Sequence, residues 1–103
     1  METLTPGHKY QLTNFEDKNS FQVIQFIEKT PVAEGSTELK TVNDGTTNEE
    51  LLEVLLDRLN YLQAKFPCRE NALAITNAEQ ALMWLNRRTA NRVKRGVEGT
   101  MQK

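Results

Sequence analysis

Cysteine and histidine are almost missing from this chain: Cys68 and His8 each stand alone in 103 residues. One thiol allows no internal disulfide, which makes a reducing, cytosolic setting the expectation. One imidazole and one thiol, far apart in sequence, give no zinc-ligand spacing, so no metal site is expected. A Ser-His-Asp or Cys-His device would have only His8 as its base, in a segment expected to be loose. Glycine is sparse as well, and the GVEG run follows a helical pattern instead of leading into one, which excludes a phosphate loop. No apolar run approaches the length of a membrane span, and METLTPGHKYQL has no signal-peptide core. These absences leave no catalytic constellation and no cofactor motif, so binding is favoured over catalysis and a soluble protein is expected. The adjacent carboxylates Glu49 and Glu50 fall in a helix's first turn, where capping and dipole roles account for them.

What is present is unevenly distributed. The net charge of −1 conceals an acidic part up to Asp57, with eleven acids against four lysines, and a basic remainder, with nine bases against three acids. The near-neutral total argues against a general nucleic-acid coat and fits a small anionic ligand better. At 103 residues the chain is expected to be a single domain, 1–103, with a sheet part over 1–46 and a helical hairpin and tail over 47–103.

In chain order, residues 1–8 read as a loose lead-in. Residues 10–15 make a short strand. The run FQVIQFIEK, residues 21–29, reads as one strand with Phe21, Val23 and Ile27 on one face and Ile24 and Phe26 on the other, hence a central strand. TPVAEGST is a loop, residues 38–42 a third strand, and Asn43-Asp44-Gly45 a turn. An antiparallel meander of about three strands follows, too small to be stable by itself.

Thr47 and Glu50 have the spacing of a capping box. Leu52, Leu55, Leu59, Leu62 and Phe66 then recur as a seam for a partner helix, and Pro67 stops the run. The second helix, 68–95, carries its apolar stripe on Ile75, Ala78, Leu82 and Leu85, with Gly96 as its left-handed stop. The short connection forces an antiparallel hairpin. At 1.5 Å per residue the second helix is roughly 40 Å long and the first roughly 27 Å, so the second overhangs or is clasped by another chain. The fold class is therefore α+β: a small amino-terminal antiparallel β-meander, then a long antiparallel helical hairpin, expected to be oligomeric.

The overhanging end is dense in positive charge. Arg88, Arg92 and Arg95 lie at i, i+4 and i+7, a row able to grip phosphates; equally, cations there suit the helix dipole and can simply be solvated. The polar groups least explained by structure are Tyr61, Arg69, Asn71, Arg88 and Arg92, although seam packing for Tyr61 and capping for Asn71 are ordinary alternatives. Trp84 reads as core or interface.

The run DGTTNEELLEVLLDRLNYLQAKFPCREN, followed by LAITNAEQALMWLNRRT and RVKRGVEGT, resembles the phage anti-Thoeris sponge family, the first type of Thoeris anti-defence protein. Its helical hairpin is shared with the phage anti-CBASS cyclic-nucleotide sponge. The likeness covers residues 44–100 and extends through YQLTNF and FQVIQFIEK. RENALAIT and ALMWLN mark the shared hairpin, and NRRT with RGVEGT points to the anti-Thoeris branch. The resemblance implies a non-enzymatic protein of the host bacterial cytoplasm that sequesters the cyclic ADP-ribose isomers made from NAD by TIR proteins. It also implies a homodimer or a higher assembly such as a hexamer, and in some members a second pocket for cyclic oligonucleotides. Carried over by position, Tyr61 would stack on the base, Asn71 would recognise polar groups, Arg88 and Arg92 would hold the diphosphate, and Arg69 would assist.

Asn71 and Arg88 lie on one helix about 26 Å apart, too far for one small nucleotide to touch both. Two chains with antiparallel long helices would bring Asn71 of one beside Arg88 and Arg92 of the other, giving two equivalent pockets per dimer. Two other classes fit the residues: a small DNA-binding regulator using the RRTANRVKR end, weakened by the acidic remainder, and a structural helical adaptor whose arginines are solvated.

Overall fold

The computed structural model describes residues 1–98, 100 and 101. They contain five strands followed by two helices: β1 (Glu2–Thr5), β2 (Lys9–Thr13), β3 (Phe21–Gln25), β4 (Glu28–Pro31), β5 (Leu39–Asn43), α1 (Asn48–Lys65) and α2 (Arg69–Arg95). The α+β class and the order of strands before hairpin are as expected. The chain divides between Thr47 and Asn48 into two compact units, with Thr100 and Met101 belonging to the β unit.

The β unit departs from a single three-stranded meander. Its strands form a three-stranded antiparallel sheet, β1-β2-β3, and a separate two-stranded one, β4-β5. Residues 1–8 are not a loose lead-in, because β1 pairs with β2 along Glu2↔Gln11 and Thr3↔Tyr10. The reversal is a Thr-Pro-Gly-His turn: Gly7 has φ 79° and the His8 amide donates to the Thr5 carbonyl at 2.9 Å. Proline second and a positive-φ glycine third are what a type II turn requires.

FQVIQFIEK is not one strand either. The run changes partner at its middle, where the Phe26 amide donates to the His8 carbonyl (2.7 Å) and the Ile27 amide to the Thr46 carbonyl (2.9 Å). The Gln25 side chain closes over the break by donating to the Phe26 carbonyl at 2.7 Å. β3 is consequently an edge strand, not a central one, and Phe21 and Val23 remain exposed. The opposite face is better covered: Tyr10 pairs with Ile24 and meets Phe26 edge-on at 5.9 Å. Gly45 sits so close to this crossing that a Cβ would lie 2.7 Å from the Phe26 carbonyl carbon. Thr100 and Met101 return to the unit, Thr100 bridging Glu38 and the Met101 amide donating to the Thr37 carbonyl.

In the helical unit, α1 starts directly after Thr47, ends before Pro67, and α2 begins at Arg69. Cys68 caps α2: its thiol sulfur accepts the Asn71 amide at 3.4 Å. Across the bend the Gln63 side chain both accepts from the Cys68 amide and donates to the Cys68 carbonyl, each at 3.0 Å. That pair of hydrogen bonds satisfies backbone groups that a tight turn would otherwise leave unpaired. At the other end Gly96 (φ 72°) reverses the chain, with the Gly96 and Val97 amides donating to the Val93 and Arg92 carbonyls.

The seam of α2 runs through Asn71, Ile75, Ala78, Leu82, Leu85, Thr89 and Arg92, all buried or half-buried. Its alternating spacing of four and three is the coiled-coil pattern. On α1 the expected seam holds at Leu52, Leu59 and Leu62, all half-buried, and differs at Leu55 and Phe66. Leu52, Leu56 and Leu59 face the seam, Leu56 being buried, whereas Leu55 is 49% exposed and Phe66 is 75% exposed. The run Leu51-Leu52 and Leu55-Leu56 offers two overlapping stripes, and packing one of them leaves the other uncovered. Among the described residues the buried apolar side chains are Leu56, Ile75 and Val97.

Candidate functional site

The seam heptad of α2 changes chemistry as it passes the end of α1. Thr89 meets the first turn of α1 through its hydroxyl and the Glu49 carboxylate at 3.4 Å. One turn later the same stripe carries Arg92, whose residue is 7% exposed, as little as an apolar seam position. Burial of a guanidinium requires partners for its donors. The closing turn supplies them: Nε donates to Glu98 Oε2 at 3.2 Å and Nη2 to the Val97 carbonyl at 2.8 Å. The overhanging end of α2 is thus clasped by its own following turn. Gly99 of the GVEGT run lies outside the described residues.

Beside this clasp is a surface pocket of about 340 Å³, lined by Arg88, Asn91, Arg92 and Arg95. The size falls at the lower end of the range for small-molecule sites. Positions 88, 91, 92 and 95 are i, i+3, i+4 and i+7, one face of a helix. Two of the expected residues, Arg88 and Arg92, therefore share a pocket with Arg95 of the same row. Asn91 was not anticipated, although the spacing that joins the arginines includes it. Arg88, Asn91 and Arg95 are exposed and carry no ion pair or side-chain hydrogen bond among the described residues. Three guanidinium groups and a carboxamide present only donors and one amide oxygen to the pocket, a set suited to phosphate oxygens.

Tyr61, Arg69 and Asn71 lie at the opposite end of the hairpin, beside the bend. Tyr61 is 57% exposed, not packed in the seam, and Lys65 sits over its ring at 4.6 Å from the centroid. Arg69 opens α2 and is exposed; Asn71 heads the seam and is half-buried, with its backbone amide committed to Cys68. A single chain accordingly holds two clusters of expected site residues and does not bring them together. Trp84 is 59% exposed, with the Arg87 guanidinium 5.5 Å from its ring centroid, so it is not core.

Among the described residues there is no group of three or more His, Cys, Asp or Glu able to hold a metal ion. No described helix is long and apolar enough to cross a membrane.

An antiparallel β unit followed by a two-helix hairpin, with a donor-lined pocket at the hairpin's open end, defines a helical-hairpin protein. Residues 21–90 match the family model of the Acb2/Tad1 hairpin domain, and the chain belongs to that family. Thoeris anti-defense 1 of Bacillus phage SBSphiJ7 is 57% identical over 61 residues, a match covering 58% of this chain and 43% of that relative. The matched part is less than half of the relative's own length. The family expected from the hairpin motifs is thereby borne out.

Proposed function

We propose that this chain is a phage or prophage anti-defence protein that binds cyclic ADP-ribose isomers and withholds them from Thoeris immunity, without converting them. The observation that carries this reading is the pocket of Arg88, Asn91, Arg92 and Arg95, whose donors match the two phosphates of such a messenger. Family membership and the name of the phage relative support the anti-defence role. The absence of any catalytic grouping in the sequence fits sequestration over turnover.

The complete site on this reading is shared by two chains. Arg88 and Arg92 of one hold the diphosphate, while Asn71, Arg69 and Tyr61 of the other meet the nucleoside portion. The separation of about 26 Å along α2 supports that division, since no small ligand spans it. Exposed Leu55, Phe66 and Trp84 supply apolar surface for a homodimer or a higher assembly such as a hexamer. The site of action is the host bacterial cytoplasm. Cyclic oligonucleotides of CBASS are a second ligand class for the same assay.

Calorimetric titration with cyclic ADP-ribose tests the reading. Saturable binding that Arg88→Ala weakens, with the same elution volume in size exclusion, is the expected result. Heat denaturation of the complex should return the ligand unaltered; linear ADP-ribose in the supernatant would mean an enzyme. Tight binding by a stable monomer would remove the shared site, and a salt-sensitive gel shift with DNA would favour a regulator.

A further inference from the structure

Arg92 faces the pocket, yet part of its donor edge is already occupied. Its Nε is ion-paired with the Glu98 carboxylate at 3.2 Å, and Nη2 donates to the Val97 carbonyl at 2.8 Å. The two partners differ in commitment: the Arg92 side chain is 8% exposed, whereas that of Glu98 is 41% exposed. Arg92 is fixed and Glu98 can leave into solvent.

Resting on the anion-binding reading above, we propose that Glu98 is a positioning residue, an internal anion that fills a phosphate's place on Arg92 and is exchanged for it on binding. In the free protein the carboxylate neutralises a buried guanidinium and holds the closing turn against α2. A diphosphate brings two charges against the one it displaces, and Arg88 and Arg95 lie beside Arg92 to meet the second. A singly charged anion only replaces like with like. The pair thereby raises the threshold for weak anions while keeping Arg92 preset.

The test is calorimetry with cyclic ADP-ribose and, separately, inorganic pyrophosphate on the full chain. Glu98→Gln keeps an acceptor for Nε and removes the charge, so the turn is retained; its affinity should rise by roughly threefold to tenfold, the effect of an exposed to half-buried ion pair. The gain should vanish in an Arg92→Gln background, with thermal melts confirming that each variant is folded. Wild-type binding with no gain in Glu98→Gln overturns this role and leaves the pocket reading intact. A gain that persists undiminished in Arg92→Gln also overturns it, because the effect would then be long-range charge. No binding of either probe by wild type or Glu98→Gln overturns the pocket reading, and this role with it.

Discussion

Arg92 and Arg88 lie one turn apart on α2 and differ in what surrounds them, so their removal should have different consequences. Arg88 is exposed and has no partner among the described residues. Its truncation to alanine should leave the melting temperature unchanged and lower nucleotide affinity. Arg92 is buried and bonded to Glu98 and Val97. Arg92→Ala should lower affinity and also cost about 2 kcal/mol of stability, the scale of charged hydrogen bonds lost from a buried site. Denaturant unfolding beside calorimetry separates the two, and equal stability in both variants would contradict the clasp. Cys68 offers a prediction of the opposite sign. Its sulfur is a weak acceptor for the Asn71 amide at 3.4 Å. Cys68→Ser places a better N-cap acceptor there and should stabilise by about 0.5–1 kcal/mol.

For the helices, the decisive fact is which leucine stripe of α1 meets α2. Leu56 is buried and Leu55 is about half exposed. Leu56→Ala should therefore cost about 2–4 kcal/mol through the cavity it leaves, while Leu55→Ala should cost less than about 0.5 kcal/mol in an isolated chain. If the two cost the same, the register is not the one described. The end of α2 depends on a single glycine. Gly96 stands at φ 72°, so Gly96→Ala should destabilise by about 1 kcal/mol. Because Val97 follows directly and accepts from Arg92, the same change should also weaken anion binding.

At the scale of the whole molecule, few apolar groups are covered. Leu56, Ile75 and Val97 are the buried ones described, whereas Leu55, Trp84 and Val93 on the helices and Phe66 in the bend between them are exposed. In the homo-oligomer proposed above a second copy would cover these groups, and the melting temperature should then rise with protein concentration. A concentration-independent melt would argue for a monomer. If Leu55 belongs to the intersubunit surface, Leu55→Ala, mild for one chain, should lower that concentration dependence.

The sequence by itself determined what depends on neighbours along the chain. Pro67 and Gly96 delimit the second helix, Ile75, Ala78, Leu82 and Leu85 recur as its stripe, and Arg88, Arg92 and Arg95 fall on one face, because helical spacing is local geometry. The Thr5-Pro6-Gly7-His8 turn is equally local, since proline second and glycine third carry the signal for the reversal between β1 and β2. The tertiary structure alone decided what depends on distant partners. His8 and Thr46 capture the backbone at Phe26 and Ile27 and split one apolar run between two sheets, and Leu56 wins the seam over Leu55. Burial fixes Arg92 against Glu98, because a guanidinium taken from water must find an anion, and the helix face alone does not say which one.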